Sequence, residues 1–256
     1  MPIVARLNVT PVKSTALHHP ERIRLETYGA VGNRDLFLID ERGRLLGGSK
    51  IGPLVRIVAD LDAANDRLTL RFPDGTVVEG DASPTAEAIT PDFWGRRVAA
   101  HLVDGRFADA LSTYAGRRVR LARVDTPGDG NDVEPVTLVS LASVEELSRR
   151  GRRDAPVDAG RFRMLIELDD MDPHQEDTWA GRRVRVGEAV VGVGEPVPRC
   201  VVTTQDPMTG LRDFPTLSVI RRYRGTTPSR KLIFGVYGTV EGPGTVTVGD
   251  DVEPIA

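Results

Sequence analysis

At 256 residues the chain is long enough to bury a large core, as one domain or two. Its 34 basic and 37 acidic residues leave a net charge of −3, which gives no basic footing for nucleic acid, and 5% aromatics offer few stacking platforms for single strands. One cysteine excludes a disulfide framework and any CxxC pair. No apolar run approaches a membrane span and no leader pattern opens the chain, so the plain expectation is a soluble cytoplasmic protein.

The first half reads mainly as strand. Ile3 to Ser14 alternates loosely and stops at Pro11. Ile23 and Leu25 share a face in the next strand. "RDLFLIDERGRLL" predicts a hairpin turning at Glu41-Arg42-Gly43, and "RLTLRFPDGTVVEG" a second at Pro73-Asp74-Gly75. The proline-bearing stretch 81–92 reads as loop. Phe107, Ala110, Leu111 and Tyr114 fall at i, i+3, i+4 and i+7 before Gly116, which predicts a short amphipathic helix.

Residues 125–135, "DTPGDGNDVEP", are rich in proline, glycine and acids. They mark the expected junction between domains 1–124 and 125–256. Beyond it, "PVTLVS" reads as strand, and Ser143 with Glu146 as the capping box of a helix ending near Gly151. A basic loop leads to "RFRMLIEL", a buried strand. "RRVRVGEAVVGVGEPV" reads as strand, turn at "VGVGEP", strand. A helix is expected from a Thr216 cap, with Leu217, Ile220 and Tyr223 on one side and Gly225 as its stop. A closing hairpin follows from Ile233. Gly-Arg-Arg-Val recurs at 95–98, 116–119 and 181–184; unequal intervals and different flanks read as a glycine ending one element before a Val-rich strand. Strands outnumber helices, so the fold class is β-rich α+β with barrel-like sheets and a few short helices.

Cys200 stands directly after Arg199, between a proline-rich entry and a threonine-rich exit. A lone cysteine is most often a small buried hydrophobe. A neighbouring cation favours the thiolate, which is both a nucleophile and a soft metal ligand. The histidines, His18, His19, His101 and His174, sit in no recognisable motif. Neither a Cys–His catalytic pair nor a paired zinc site is supported, and no glycine-rich phosphate loop opens a helix. Lys13, Ser14, Arg34, Arg161, Arg163 and Arg199 lie at strand edges. Such residues are mostly solvated caps, unless several converge on one cleft as an anion site.

"PRCVVTTQDPMTG" strongly resembles the cysteine segment of MOSC proteins, named for the C-terminal domain of molybdenum cofactor sulfurase. "PVTLVSLASVEEL", "RFRMLI", "EDTWAGRRVRVGEAVV" and "PGTVTVGDDV" follow the same order. The first half resembles the β-barrel domain preceding MOSC in the mitochondrial amidoxime-reducing components and their bacterial relatives, through "TPVKS" and "YGAVGNRDLFLIDERGRLL". The resemblance implies an N-terminal β-barrel-like domain, a C-terminal MOSC β-barrel, and a molybdenum cofactor. Cys200 would be the protein's thiolate ligand to the metal. Lys13, Ser14, Arg34, Arg161, Arg163 and Arg199 would contact the anionic cofactor, with Ser140 and Thr203 as hydroxyl donors. It further implies reduction of N-hydroxylated small molecules, with electrons from a separate flavin or iron–sulfur reductase. The alternatives are a carrier holding sulfur or cofactor on Cys200, and a non-catalytic relative that has lost the cofactor. Three positions depart from the family pattern: Met164-Leu165 replaces Pro-Asn, Gly48-Ser49-Lys50 replaces Thr-Gln-Arg, and Thr10 replaces tyrosine.

Overall fold

A computed structural model describes residues 1–255. Its largest sheet has seven strands in the order Ile3–Leu7, Ile166–Asp169, Val136–Ser140, Ile233–Gly242, Ala189–Pro198, Arg183–Val186 and Val252–Ile255. Neighbours are antiparallel except Val136–Ser140 and Ile166–Asp169. The two edges meet: Ile3 bridges Asp251, and the Val4 amide donates to the Asp250 carbonyl at 2.9 Å. The sheet is therefore a nearly closed barrel, which leaves little exposed edge. Inward residues such as Leu7, Leu138, Ile166, Val184, Val191 and Trp179 fill it.

The remaining strands build a second body. Leu45–Leu46, Leu36–Ile39, Arg120–Val124, Ala100–Leu102 and Ala88–Ile89 form a five-stranded sheet. Val58–Asp62, Arg67–Arg71 and Val77–Asp81 form a meander, and helix α1 (Gly105–Ala115) closes a shared core through Phe107 and Leu111. Both hairpins turn where expected. The Asp40 carboxylate accepts the amides of Arg42 and Arg44, each at 2.9 Å, and Asp74 accepts the Thr76 amide at 2.9 Å. Asp104 caps α1 and Gly116 ends it in the left-handed region. The fold is the β-rich α+β class expected, and no helix among the described residues is long and apolar enough to cross a membrane.

Several local expectations are corrected. Helix α2 (Leu141–Arg150) starts three residues early because Ser140, at the end of its strand, is the cap. Ser143 donates instead to buried Glu176, and Glu146 pairs with Arg149 and Arg150. Helix α3 (Thr216–Arg224) is capped at Pro215, while the Thr216 hydroxyl donates to the Thr203 carbonyl. "RFR" is not strand: Asp158 accepts the Gly160 amide and starts a 3-10 turn over Ala159–Phe162, ended by Arg163 at φ 52°. "VGVGEP" continues the strand Ala189–Pro198, bulging rather than turning. The loop 81–92 contains the short strand Ala88–Ile89. Nor is the chain's end a hairpin. Ile233–Gly242 pairs with Ala189–Pro198, whereas Gly244–Thr247 pairs with Arg22–Glu26 of the first half.

Pairing thus passes repeatedly between the two halves of the sequence. The segment 125–135 runs against Arg34, and the approach is so close that a Cβ on Gly130 would lie 1.8 Å from the Arg34 carbonyl oxygen. Gly130→Ala should therefore cost about 2–3 kcal/mol, read as a fall of about 5–10 °C in Tm. A Tm within about 1 °C of wild type would show that these segments do not touch as described.

Candidate functional site

Two loops from the second half and two from the first converge at the seam. The Lys13 ammonium, almost fully buried, donates to the Gly130 carbonyl at 2.7 Å and ion-pairs with Asp132 at 2.8 Å. Arg34 reaches the other oxygen of Asp132 at 3.3 Å and the Arg163 carbonyl at 3.0 Å. Arg163 in turn donates to the Thr15 carbonyl at 2.8 Å. One carboxylate therefore sits among three cations drawn from both halves.

Burial pulls the Lys13 ammonium from its ordinary 10.5 down to about 8, with Asp132 opposing the shift and Arg34 adding to it. Burial, and then Arg34, also lower the Arg163 guanidinium. Burial works to raise the Asp132 carboxyl, but Lys13 and Arg34 hold it below the ordinary value.

Arg199 lies in the same field. Burial lowers its guanidinium, Cys200 opposes that shift, and the charges of Asp132 and Arg34 both reach it. Its head stacks over the Phe162 ring at 5.1 Å and donates to the Phe162 carbonyl and to the Met164 sulfur, at 2.5 and 3.2 Å. Its Nε is buried without a partner. Cys200 is exposed, so the lone cysteine is not a core hydrophobe.

Arg161 stands behind the cysteine loop rather than in the cluster. It clasps Asp213 with both terminal nitrogens at 3.1 Å and donates to the Thr203 carbonyl at 3.2 Å. The Thr203 hydroxyl donates to the Cys200 carbonyl at 3.0 Å, so Arg161 and Thr203 shape the loop that presents the thiol. Ser14 accepts the Gly48 amide at 3.1 Å, and Gln205 donates to the Gly48 carbonyl at 2.8 Å, which ties the cysteine loop to the first half. Ser140 is buried with its hydroxyl spent on capping α2. The histidines are occupied elsewhere: His18 on the Ala59 carbonyl, His19 on Asn8, His101 on Asp125, and His174 between Tyr223 and Arg224.

Three site residues, Ser14, Arg34 and Arg163, hold φ of 77°, 63° and 52°, a region non-glycine residues seldom adopt. Trp94 joins them at φ 54°, 68% exposed, with its ring 5.5 Å from Lys13 Nζ. Sequence reasoning missed Trp94, Asp132 and Asp213. Asp132 was hidden among the acids of a presumed linker, and nothing local marks Asp213 as the partner of Arg161. The three departures sit away from open solvent or on its edge. Met164 and Leu165 are buried in two different cores, Thr10 is buried against Thr15, Gly48 is buried, and Ser49 and Lys50 are exposed.

The MOSC domain profile matches residues 125–253. The chain belongs to the MOSC domain family. Mitochondrial amidoxime-reducing component 1 of Danio rerio is 29% identical over 99% of this chain and 85% of its own length. The protein of the same name from Mus musculus is 35% identical over 48% of this chain and 37% of its own length. Molybdenum cofactor sulfurase of Oryza sativa is 26% identical over 89% of this chain, which spans 31% of that longer protein. Among solved structures, YuaD from Bacillus subtilis covers 99% of this MOSC chain and 96% of its own at 14% identity and a TM-score of 0.44. YiiM from Escherichia coli covers 48% and 55% at 16% and 0.35.

The Lys13 geometry has a pH signature. Its folded value lies below the unfolded one, so the folded state binds fewer protons between about pH 8 and 10.5 and is favoured as pH rises through that window. Relative to Lys13→Met, wild type should gain about 3 kcal/mol of unfolding free energy across it, measured by urea denaturation at several pH values. A difference that stays flat would refute the buried, charged lysine.

Proposed function

We propose that this MOSC protein is a molybdenum-cofactor-dependent oxidoreductase that reduces N-hydroxylated small molecules with electrons from a separate flavin or iron–sulfur reductase. The observation that carries the reading is the exposed Cys200 thiol beside one buried and three half-buried cations gathered at one seam. The relatives named for amidoxime reduction and for molybdenum cofactor sulfuration support it. The donor set fits the group. No cluster of three or more His, Cys, Asp or Glu among the described residues is placed to hold a bare ion. A metal held here by one thiolate therefore has to bring other ligands with it, as a pterin dithiolene does. The unpartnered Arg199 Nε and Gln205 Oε1 remain as buried polar atoms for a ligand to satisfy.

In this reading Cys200 would be the thiolate ligand of the metal, while Lys13, Arg34, Arg163 and Arg199 would hold the anionic remainder, with Ser14 at its edge. Asp132 keeps the cations assembled until a competing anion arrives. Burial strengthens the Lys13 contacts most, since Asp132 and the three arginines are partly open to solvent. Arg161, Thr203 and Ser140 act from behind, fixing the cysteine loop and the helix beside it. The chemistry supplied by the cofactor when bound is the two-electron removal of a nitrogen-bound oxygen as water. The division at 124/125 belongs to the same reading, with the first part as an accessory β unit that lends Lys13, Ser14 and Arg34 to the MOSC unit. A single thiol without a disulfide partner suits the reducing cytoplasm.

The exposed thiol also suits a carrier of sulfur or cofactor. One experiment separates the readings. Protein made in a host that synthesises molybdopterin should carry about one molybdenum per chain and reduce benzamidoxime with an artificial electron donor; Cys200→Ser should lose at least roughly nine-tenths of both. Unchanged metal in Cys200→Ser would remove the ligand assignment. Metal without turnover, together with a persulfide on Cys200 by mass spectrometry, would favour the carrier.

A further inference from the structure

A groove of about 820 Å3 runs along the outer surface of the paired strands Ala189–Pro198 and Ile233–Gly242. It is within the range that holds a small organic molecule. One of the strands that line it ends at Pro198, two residues before Cys200, so that end of the groove lies within about 7 Å of the cysteine backbone. Tyr237 lines it as well, and this phenol feels the charges of Asp132, Arg199 and Glu134. That end of the groove therefore lies beside the loop that carries Cys200.

Its shape follows from the strands. Pairing between them slips at Val190/Val191, Val193/Pro196 and Pro196/Pro198. Such bulges bend a strand and re-aim its side chains, commonly beside sites. Glycines at 192 and 194 strip side chains from the same surface. A Cβ on Gly194 would find only the Tyr237 carbonyl, 3.9 Å away, so the space above it is open.

Its chemistry differs from that of the cluster. Three carboxylates and three cations line the groove and cancel, and Arg183 is paired with Glu241 at 2.9 Å. A large anion gains more from the uncompensated cations at the seam. Val133, Pro196, Pro198 and Ile233 instead give the groove apolar walls.

We propose that this groove holds the non-reacting body of the substrate: an elongated N-hydroxylated compound whose apolar part lies on Val133, Pro196, Pro198 and Ile233 while its N–OH end passes Tyr237 toward Cys200. The proposal rests on the oxidoreductase reading above and adds where selectivity resides. A compound too small to enter the groove gains nothing from it, and one with a long apolar body gains binding along its length.

The test uses the molybdenum-loaded protein with an artificial electron donor, and compares 4-phenylbenzamidoxime with acetamidoxime. In Gly194→Trp the ratio of kcat/KM, long compound over short, should fall at least roughly tenfold, with the loss carried by KM of the long compound. Val133→Lys, at a position 61% exposed on the groove wall, should move the ratio the same way if the tryptophan disturbs folding. Val77→Trp, on an exposed strand of the other body, should leave the ratio as in wild type. An unchanged ratio in both groove variants overturns the proposal. So does a fall in molybdenum content in Gly194→Trp at an unaltered Tm, because the groove would then hold the cofactor. If the wild-type protein carries molybdenum yet reduces neither compound, the reaction reading fails by itself. The groove is then decided by calorimetric binding of 4-phenylbenzamidine: at least roughly tenfold weaker binding to Gly194→Trp upholds it, and equal binding overturns it.

Discussion

Like charges do not assemble in a protein interior without a counter-charge. Lys13, Arg34 and Arg163 are brought together here because Asp132 stands between them, with Lys13 and Arg34 on its two oxygens. The arrangement is costly even so, since burial still drags the Lys13 ammonium down toward neutrality. A site with three cations and one carboxylate retains net positive charge that the fold itself does not compensate. That surplus is the reason to read the seam as a place for a bound anion. A stability device would balance its charges, as Arg161 and Asp213 do a short distance away.

Backbone conformation points to the same place. Of the nine non-glycine residues at positive φ among the described residues, Ser14, Arg34, Trp94 and Arg163 surround the cluster. A left-handed conformation at an arginine costs on the order of 1 kcal/mol and persists only where neighbours over-determine it. The neighbours are identifiable. The Arg34 amide is held by the Thr10 carbonyl at 2.7 Å, and Gly130 lies so close to the Arg34 carbonyl that neither can move alone. Strain, charge repulsion and the buried, unpartnered Nε of Arg199 thus meet in one small region, and the barrel and the second body supply the rigidity that keeps them there.

Much of the fold was legible in the chain itself. The hairpins at Asp40–Gly43 and Pro73–Gly75 and helix α1 each combine a hydrophobic period with a turn or cap residue, and that information is local. The misses share a cause: the residue that decided the structure lay far away in sequence. Ser143 looked like a cap until Glu176 claimed its hydroxyl, and Thr216 until the Thr203 carbonyl did. The strand Gly244–Thr247 seemed due to pair with its predecessor, but the Arg22–Glu26 edge, more than two hundred residues earlier, took it instead. The site divides in the same way. Cys200 and the basic residues were visible through a family likeness, whereas Asp132, Trp94 and Asp213 acquire meaning only from partners that the topology supplies.

The division of labour among arginines shows why composition could not have resolved the site. Arg161 and Arg163 are two residues apart in one turn, yet they point to different tasks. The 3-10 turn and the left-handed φ at Arg163 rotate the two side chains apart. Arg161 meets a bidentate carboxylate partner and becomes a brace for the loop that carries Cys200. Arg163 meets only main-chain oxygen at Thr15, with Arg34 and Asp132 in its field, and remains a charge without its own counter-ion. A guanidinium already forked onto a carboxylate has little left to offer a ligand; one whose only direct partner is a neutral carbonyl keeps most of its attraction for an anion. By that criterion Arg163 and Arg199 are the cations most open to an anion, Lys13 and Arg34 share the single carboxylate of Asp132, and Arg161 belongs to the framework behind them.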